Sequence, residues 1–472
     1  MFATRFSLAA LGVSDYGLYA VLGGIISFMS ILNTIMVATT NRYISVAIGK
    51  GDVIEIRKQF NVNLFIHIFI ALITLVIMIP LGEWYVYHYV NYDGNMDVAS
   101  KVLLISLVGS VVSFISVPYN GLMMAKENFI TFCSVDVIAH ILKLLVAYLL
   151  IDNFENKLLI YAGSLAFLTA LPTLIYYVYC NVKYREITQF TLVKDIDKYK
   201  DVLSFSVWVG YGAIASVAKT QGAAVIVNMF FNTIMNTALS VANTVNSLIS
   251  LLSQNVSQPI APQLMKAYAA GNSSRCDELL VLSTKFTYLI SFLVAMPLLL
   301  ETEWVIKIWL GEVPAYSVVF CRLLIIDTLV TALNSGISNV IFASGKIRAY
   351  QIIINTLRLL SLVAAYFALK YGLPPQSLLI VYIAFSVIIF FSTQLVLHKT
   401  LNYDNMILWK HSYFPSFIVT IVSLSLLLFD VNCHPFINLL IYAFSVLLII
   451  LLLGFSTDER RQLFSWLKNL IK

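Results

Sequence analysis

Apolar runs of about twenty residues, separated by short polar stretches, recur from one end of this chain to the other. A helix needs roughly 20 residues to cross about 30 Å of hydrocarbon, so this spacing restricts the fold to a bundle of membrane-spanning helices. The windows fall near 16–40, 62–82, 100–124, 130–150, 158–181, 203–227, 234–258, 280–300, 318–343, 349–370, 377–400, 412–430 and 436–454. Residues 1–11 resemble the end of a further span. Composition agrees, with 60% hydrophobic and only 11% charged residues, against about 25% charged in ordinary soluble domains.

The net charge of +6 does not point to nucleic acid, because the bases sit in alternate short loops and form no continuous basic face. Twenty-one of the 30 lysines and arginines fall in one set of loops and the C-terminal tail, among them Arg42, Arg57, Lys58, Lys126, Lys285 and Lys346. The alternate loops hold Lys101, Lys157, Lys307 and Lys370. That asymmetry assigns the first set to the cytoplasm. Trp84, Tyr85, Trp304 and Trp309 supply interfacial anchors on the other side. The tail at 458–472 places Leu463, Leu467, Leu470 and Ile471 on one helical face, as an amphipathic helix on the cytoplasmic surface does. Cys133, Cys180, Cys276, Cys321 and Cys433 form no CxxC pair, which argues against a disulfide framework or a metal site. The segment Met1–Gly12 has neither the basic leader nor the cleavage site of a signal peptide.

A repeat emerges when the loops are aligned. Gly51 and Gly271, Glu83 and Glu303, Trp84 and Trp304, and Lys126 and Lys346 are each 220 residues apart. The same shift carries five of the early windows onto later ones. The expected architecture is all-α: two parallel-repeat six-helix bundles plus a C-terminal helix pair, about 14 spans in the full design, related by an axis along the membrane normal. The partner of the window at 203–227 would begin before residue 1, so the first helix is expected to be incomplete. The expected divisions are an N-terminal lobe at 1–182, a cytoplasmic linker at 183–202, a second lobe at 203–401, a helix pair at 402–457 and the tail at 458–472.

Charges inside spans are costly, about 2.5–3.5 kcal/mol each at a helix centre, and almost always face a bundle interior or a wet cavity. Arg5, Lys143, Lys219 and Arg358 are the deep bases, and Asp327 is the deepest acid. A positive interior suits an anion such as a pyrophosphate or a carboxylated sugar. Asn33 and Asn243, with Asn246, Gln254, Asn334 and Asn355, add amides able to bond sugar hydroxyls, although helix–helix hydrogen bonds are an equal use for them. Asp136, His140 and Lys143 share a helix face by their spacing. With Asp327 they form a candidate proton or ion relay; the plainer alternative is an intrahelical pair that lowers the cost of burying Lys143. Pro80, Pro118, Pro172, Pro259, Pro262 and Pro297 fall in or beside spans, where they favour kinks.

Enzymatic motifs are poorly supported. Asp195 and Asp197 make a DxD pair, but it lies in a short basic linker with no domain to hold a nucleotide. No P-loop, HExxH or GxSxG is present, so a non-enzyme without cofactor or catalytic residues is expected.

The run from Arg5 to Tyr19, with Leu11, Gly12, Asp15, Tyr16, Gly17 and Tyr19, resembles the opening of the polysaccharide-biosynthesis flippases. These belong to the multidrug/oligosaccharidyl-lipid/polysaccharide exporter superfamily. The segment Val117–Phe129 is similar to that family's loop after its fourth helix. The resemblance implies a multi-pass protein of the bacterial inner membrane that flips an undecaprenyl-pyrophosphate-linked oligosaccharide, an O-antigen, capsule or exopolysaccharide unit, by alternating access. It further implies a basic central cavity lined by Arg5 and Lys219, and a glycan polymerase and chain-length regulator as partners. The rivals are an ion-coupled multidrug antiporter of the same superfamily, a membrane glycan polymerase or ligase, and a non-transporting scaffold. An antiporter calls for more acids within the spans, and a polymerase for a large outer loop.

Overall fold

The computed structural model describes residues 32–89, 95–150, 156–231, 233–311, 313–428, 434–457 and 459–461, with Leu11, Asp15, Leu18, Tyr19 and Leu22. Every regular element among the described residues is helical. The chain divides into two compact units, Met1–Ala213 and Ile214–Lys472.

In unit 1, α1 (32–50) turns at Gly51 into α2 (Val53–Tyr89). Then follow α3 (Met96–Ala125), α4 (Phe129–Leu149), α5 (Lys157–Lys183), the short α6 (Arg185–Thr188) and the first part of α7 (Ile196–Phe230). Asn95 caps α3 by accepting from the Asp97 N–H at 2.8 Å. The core is built by α2, α3 and α5 around Leu103, Leu107, Phe114 and Ala162, all essentially inaccessible. Gly109 lets α3 and α5 touch, since a Cβ there would lie 2.7 Å from the Ala166 Cα. The segment after α5 is docked on α2. The buried Asn61 amide donates to the Gln189 carbonyl at 3.0 Å and accepts from the Thr191 N–H at 3.1 Å, and Lys198 pairs with Glu55 at 2.6 Å.

Unit 2 continues with α8 (Thr233–Ala269), α9 (Ser273–Leu300), α10 (Thr302–Leu310), α11 (Ser317–Ala332), α12 (Ile337–Ser344), α13 (Arg348–Lys370) and α14 (Ser377–Leu401). The short α15 (Asn405–Leu408) leads through a π segment into α16 (Phe414–Leu424), and α17 (Pro435–Ile449) ends in another π segment. The 220-residue register is preserved in the helix boundaries. α2 and α9 start at Val53 and Ser273, and α5 and α14 at Lys157 and Ser377. Gly51 and Gly271 both take positive φ, +77° and +71°, which a side chain resists. Their N–H groups bond to Ile48 and Tyr268, also 220 residues apart.

Nine helices are long and apolar enough to cross a membrane among the described residues, and the α11–α12 pair raises this to ten. The chain is a multi-pass membrane protein. α8 is 37 residues long, but amides and hydroxyls such as Asn243, Asn246 and Gln254 keep it outside that set. The sequence windows differ from the structure in one informative place. The expected single span at 318–343 is two helices bent by 43°, and the break ends at Gly336 with φ +83°. Most of the window at 16–40 and of the tail at 458–472 lies outside the described residues.

Candidate functional site

A cavity of about 230 Å³ lies wholly within unit 2. Each wall is one stripe of a helix. α7 contributes Ser216, Lys219, Thr220 and Ala223, and α8 contributes Leu239, Asn243 and Asn246. From α11 come Leu324, Asp327 and Thr331, from the break after it Asn334, from α13 Arg358, and from α14 Leu379, Tyr382, Ser386 and Ile389. Spacings of three, four and seven residues put these side chains on one face of each helix. Drug-sized ligands occupy pockets of about 300–1,000 Å³. This one is sized for a head group or a small ion with its waters.

Its centre is an ion pair. The Lys219 ammonium stands 3.2 Å from Asp327 Oδ2, with side chains 19% and 12% exposed. The Ser386 hydroxyl donates to the other carboxylate oxygen, Oδ1. Tyr382 holds Lys219 twice, donating its hydroxyl to the Lys219 carbonyl at 3.1 Å and placing its ring 4.5 Å from the ammonium. At this separation the Coulomb attraction is about 5 kcal/mol for an effective dielectric constant near 20. Desolvation costs several kcal/mol per ion and offsets most of that gain. The pair therefore lies close to balance, and another anion can compete for the lysine.

The second cation is anchored from behind. Arg358 donates to Asn355 Oδ1 at 3.0 Å, and the buried Asn355 amide donates to the Gln351 carbonyl at 2.9 Å and to its side-chain oxygen. Among the described residues no ion pair engages Arg358, so the pocket holds two bases and one acid. On the α8 wall, Asn246 accepts from Thr328 at 2.6 Å. The Oδ1 of Asn334 is buried without a partner among the described residues, leaving an acceptor for a bound donor.

Of the sequence-derived site residues, Lys219, Asn243, Asp327 and Arg358 converge here. Arg5 lies outside the described residues. Asn33 is in unit 1, donating to Ser113 at 3.5 Å, with its Oδ1 buried and without a partner among the described residues. Asp136, His140 and Lys143 are exposed on α4, which buries only Val135 and Ala147. His140 Nδ1 donates to its own-helix carbonyl at Asp136, 2.7 Å away. No ion pair joins Asp136 to Lys143 among the described residues. Asp195 of the DxD pair accepts from the Asp197 N–H at the start of α7, and Asp197 meets Lys200 at 3.3 Å. Helix capping accounts for that motif.

Two buried groups escaped the sequence analysis. Lys285, counted there among loop bases, is inside α9, 3% exposed, and pairs with Glu459 at 2.6 Å. His67 is fully buried in α2; its Nδ1 lies 2.6 Å from the Asn63 carbonyl and its Nε2 lacks a partner among the described residues. Position within the windows signals both, since 67 and 285 fall inside 62–82 and 280–300.

Solved structures share the fold of this chain. A multidrug resistance MATE family transporter of the MOP superfamily, in an outward-facing conformation, matches with a TM-score of 0.75 at 12% identity over 85% of this chain and 91% of its own. The fold is that of the MATE transporters. A MOP superfamily transporter from Pyrococcus furiosus, described by the reverse polarity of its binding pocket, matches with a TM-score of 0.68 at 13% identity, covering 85% of this chain and 95% of its own. The MATE transporter ClbM in complex with Rb+ gives 0.64 at 15% identity, covering 84% and 94%. No family model and no curated protein sequence matches the chain.

Proposed function

We propose that this chain is a transporter for an anionic, lipid-linked sugar, carried from the cytoplasmic to the periplasmic leaflet of a bacterial inner membrane by alternating access. The observation that carries this reading is the charge of the unit 2 pocket, where Lys219 and Arg358 stand against the single carboxylate of Asp327. Two cations on separate helices, with amides from Asn243 and Asn334 lining the same pocket, suit a phosphate or carboxylate attached to a hydroxylated sugar. Undecaprenyl-pyrophosphate-linked oligosaccharide is the substrate that the family resemblance implies, with a glycan polymerase and chain-length regulator acting downstream.

The fold neighbours support a second reading, an ion-coupled multidrug antiporter, since one of them is a multidrug resistance transporter by description. One neighbour is described as having reversed pocket polarity and, from it, a different function. Pocket charge is therefore the better guide to substrate than fold. The deciding experiment replaces Lys219 or Arg358 with Gln and measures both surface glycan and drug tolerance. An anion flippase loses export and accumulates lipid-linked oligosaccharide inside, with drug tolerance unchanged. Intact export alongside loss of drug tolerance would overturn the proposal.

A further inference from the structure

We propose that unit 1 holds an anionic phospholipid of the cytoplasmic leaflet, its head group on Lys126 and Lys183 and one acyl chain in the groove along α5. The inference is independent of what the unit 2 pocket carries.

The 220-residue register shows an uncovered face. In unit 2 the last turns of α14 are covered by the chain that follows. Tyr413 receives the Gln394 amide and meets Phe390 edge-on at 5.0 Å, and Asn405 donates to the Gln394 carbonyl at 2.8 Å. In unit 1 the chain after α5 docks on α2 instead. The matching face of α5 stays open, with Leu174, Val178 and Val182 each more than half exposed. At these positions α14 carries Gln394, His398 and Asn402. The open face of α5 is therefore the apolar one, as contact with hydrocarbon requires.

With Ile175, Tyr179 and Lys183, those three residues line a groove of about 750 Å³. At about 1.5 Å per residue, the stretch from Leu174 to Lys183 is roughly 13 Å long. One leaflet contributes roughly half of the ~30 Å hydrocarbon layer, so the groove spans one leaflet. An ordinary acyl chain fits that length, whereas a polyprenyl tail overruns it.

The groove ends in a basic and aromatic cluster on the side that the loop charges assign to the cytoplasm. Lys183 donates to the Tyr179 hydroxyl at 2.8 Å and lies 5.7 Å from the centre of the Tyr184 ring. Lys126 reaches the same ring at 5.8 Å. Asn128 holds the ring by donating its amide to the Tyr184 hydroxyl, and makes no side-chain cap on α4. Among the described residues no ion pair engages either lysine. Two ammonium groups at one ring, each on a flexible stem, can close on one phosphate. The cytoplasmic leaflet supplies anionic head groups. Unit 2 lacks the pair: Lys346 matches Lys126, but Tyr403 and Asp404 replace Lys183 and Tyr184, and Asp404 caps α15.

The test uses the purified full-length protein and phosphatidylglycerol carrying a diazirine on one acyl chain, with labelled peptides identified by mass spectrometry. Label should fall on the peptide containing residues 174–183. Half-saturation should weaken about fivefold in Lys126→Gln or Lys183→Gln and about 25-fold in the double variant. Val178→Trp fills the groove and should abolish the label with both lysines intact, which keeps the test available should the lysine variants fold poorly. Lys346→Gln, the matching change in unit 2, should leave labelling unchanged. Equal labelling by zwitterionic phosphatidylcholine, or equal loss in K346Q, overturns the site. A dimer mass with no label on α5 would assign the face to a second copy of the chain and also overturn it. Stronger competition by undecaprenyl phosphate than by unlabelled phosphatidylglycerol would give the groove to a cargo lipid, which overturns the phospholipid and leaves the unit 2 reading untouched.

Discussion

Shifting unit 1 by 220 residues onto unit 2 aligns the same helices but not the same interiors. Where unit 2 carries Asp327, Asn334, Tyr382 and Ser386 around a cavity, unit 1 carries Leu107, Phe114, Ala162 and Ala166. The first three of these are at most 1% exposed. Gly109 brings α3 against α5, whereas Leu329 takes its place in unit 2 and the helices meet through the Asp327–Ser386 bond. α3 runs unbroken, with Ser110, Ser113 and Ser116 bonded to carbonyls of their own helix. Its counterpart breaks at Gly336 and leaves Asn334 at the pocket. One repeat spends these positions on packing and the other on a polar site. The helix plan tolerates both because each position keeps its direction and changes only its chemistry.

The largest effect should come from giving unit 1 the unit 2 acid. Leu107→Asp places an uncompensated charge in a closed apolar core and should cost about 3–5 kcal/mol, seen as lost expression or a collapsed melting transition in detergent. The reverse exchange, Asp327→Leu, strands Lys219, which keeps its Tyr382 ring, and should cost about 2–4 kcal/mol. Adding Lys219→Met should recover stability to within about 1 kcal/mol of the parent without restoring transport. A stable double variant that still transports would break the link between the pair and function. Gly109→Ala drives a Cβ into the α5 backbone and should cost about 1–3 kcal/mol, with Leu329→Ala giving no comparable clash at the matching site.

The smallest effect concerns the segments that follow each lobe. Phe65 of α2 meets Phe190 at 5.6 Å, and the matching residue of α9 is Lys285, paired with Glu459. Burial raises the Glu459 carboxyl, but the Lys285 hydrogen bond and the Ser456 N–H override it and hold the group below its ordinary range. A lowered carboxyl stabilises the fold above the ordinary glutamate value, about 4.3, and that contribution is lost as pH falls through the lower folded value. Glu459→Gln should cost about 1 kcal/mol at neutral pH. Melting curves of parent and variant should converge under acid; a constant gap would mean that the pair does not carry the difference.

Much of this was legible beforehand. Gly51 and Gly271 announced the register, and both proved to be positive-φ turns. Lys219, Asn243, Asp327 and Arg358 were visible as polar residues deep in apolar windows. The grouping of Asp136 with Lys143 was a statement about one helix, and helical spacing says which residues share a face without saying what that face meets. Lys285 was assigned to a loop because its window began only five residues earlier, and its partner lies 174 residues away in the tail.

The sequence by itself determined the membrane-spanning class, the span lengths and the repeat. Hydrocarbon thickness and backbone hydrogen bonding act on each segment alone, so a single segment carries their signature. Only the tertiary structure decided that Lys219 meets Asp327 across 108 residues, that Tyr382 and Ser386 hold the two ends of that pair, and that the matching positions of unit 1 close into an apolar core. The chemistry of a buried charge depends on which helices pack around it, and that is a property of neighbours in space.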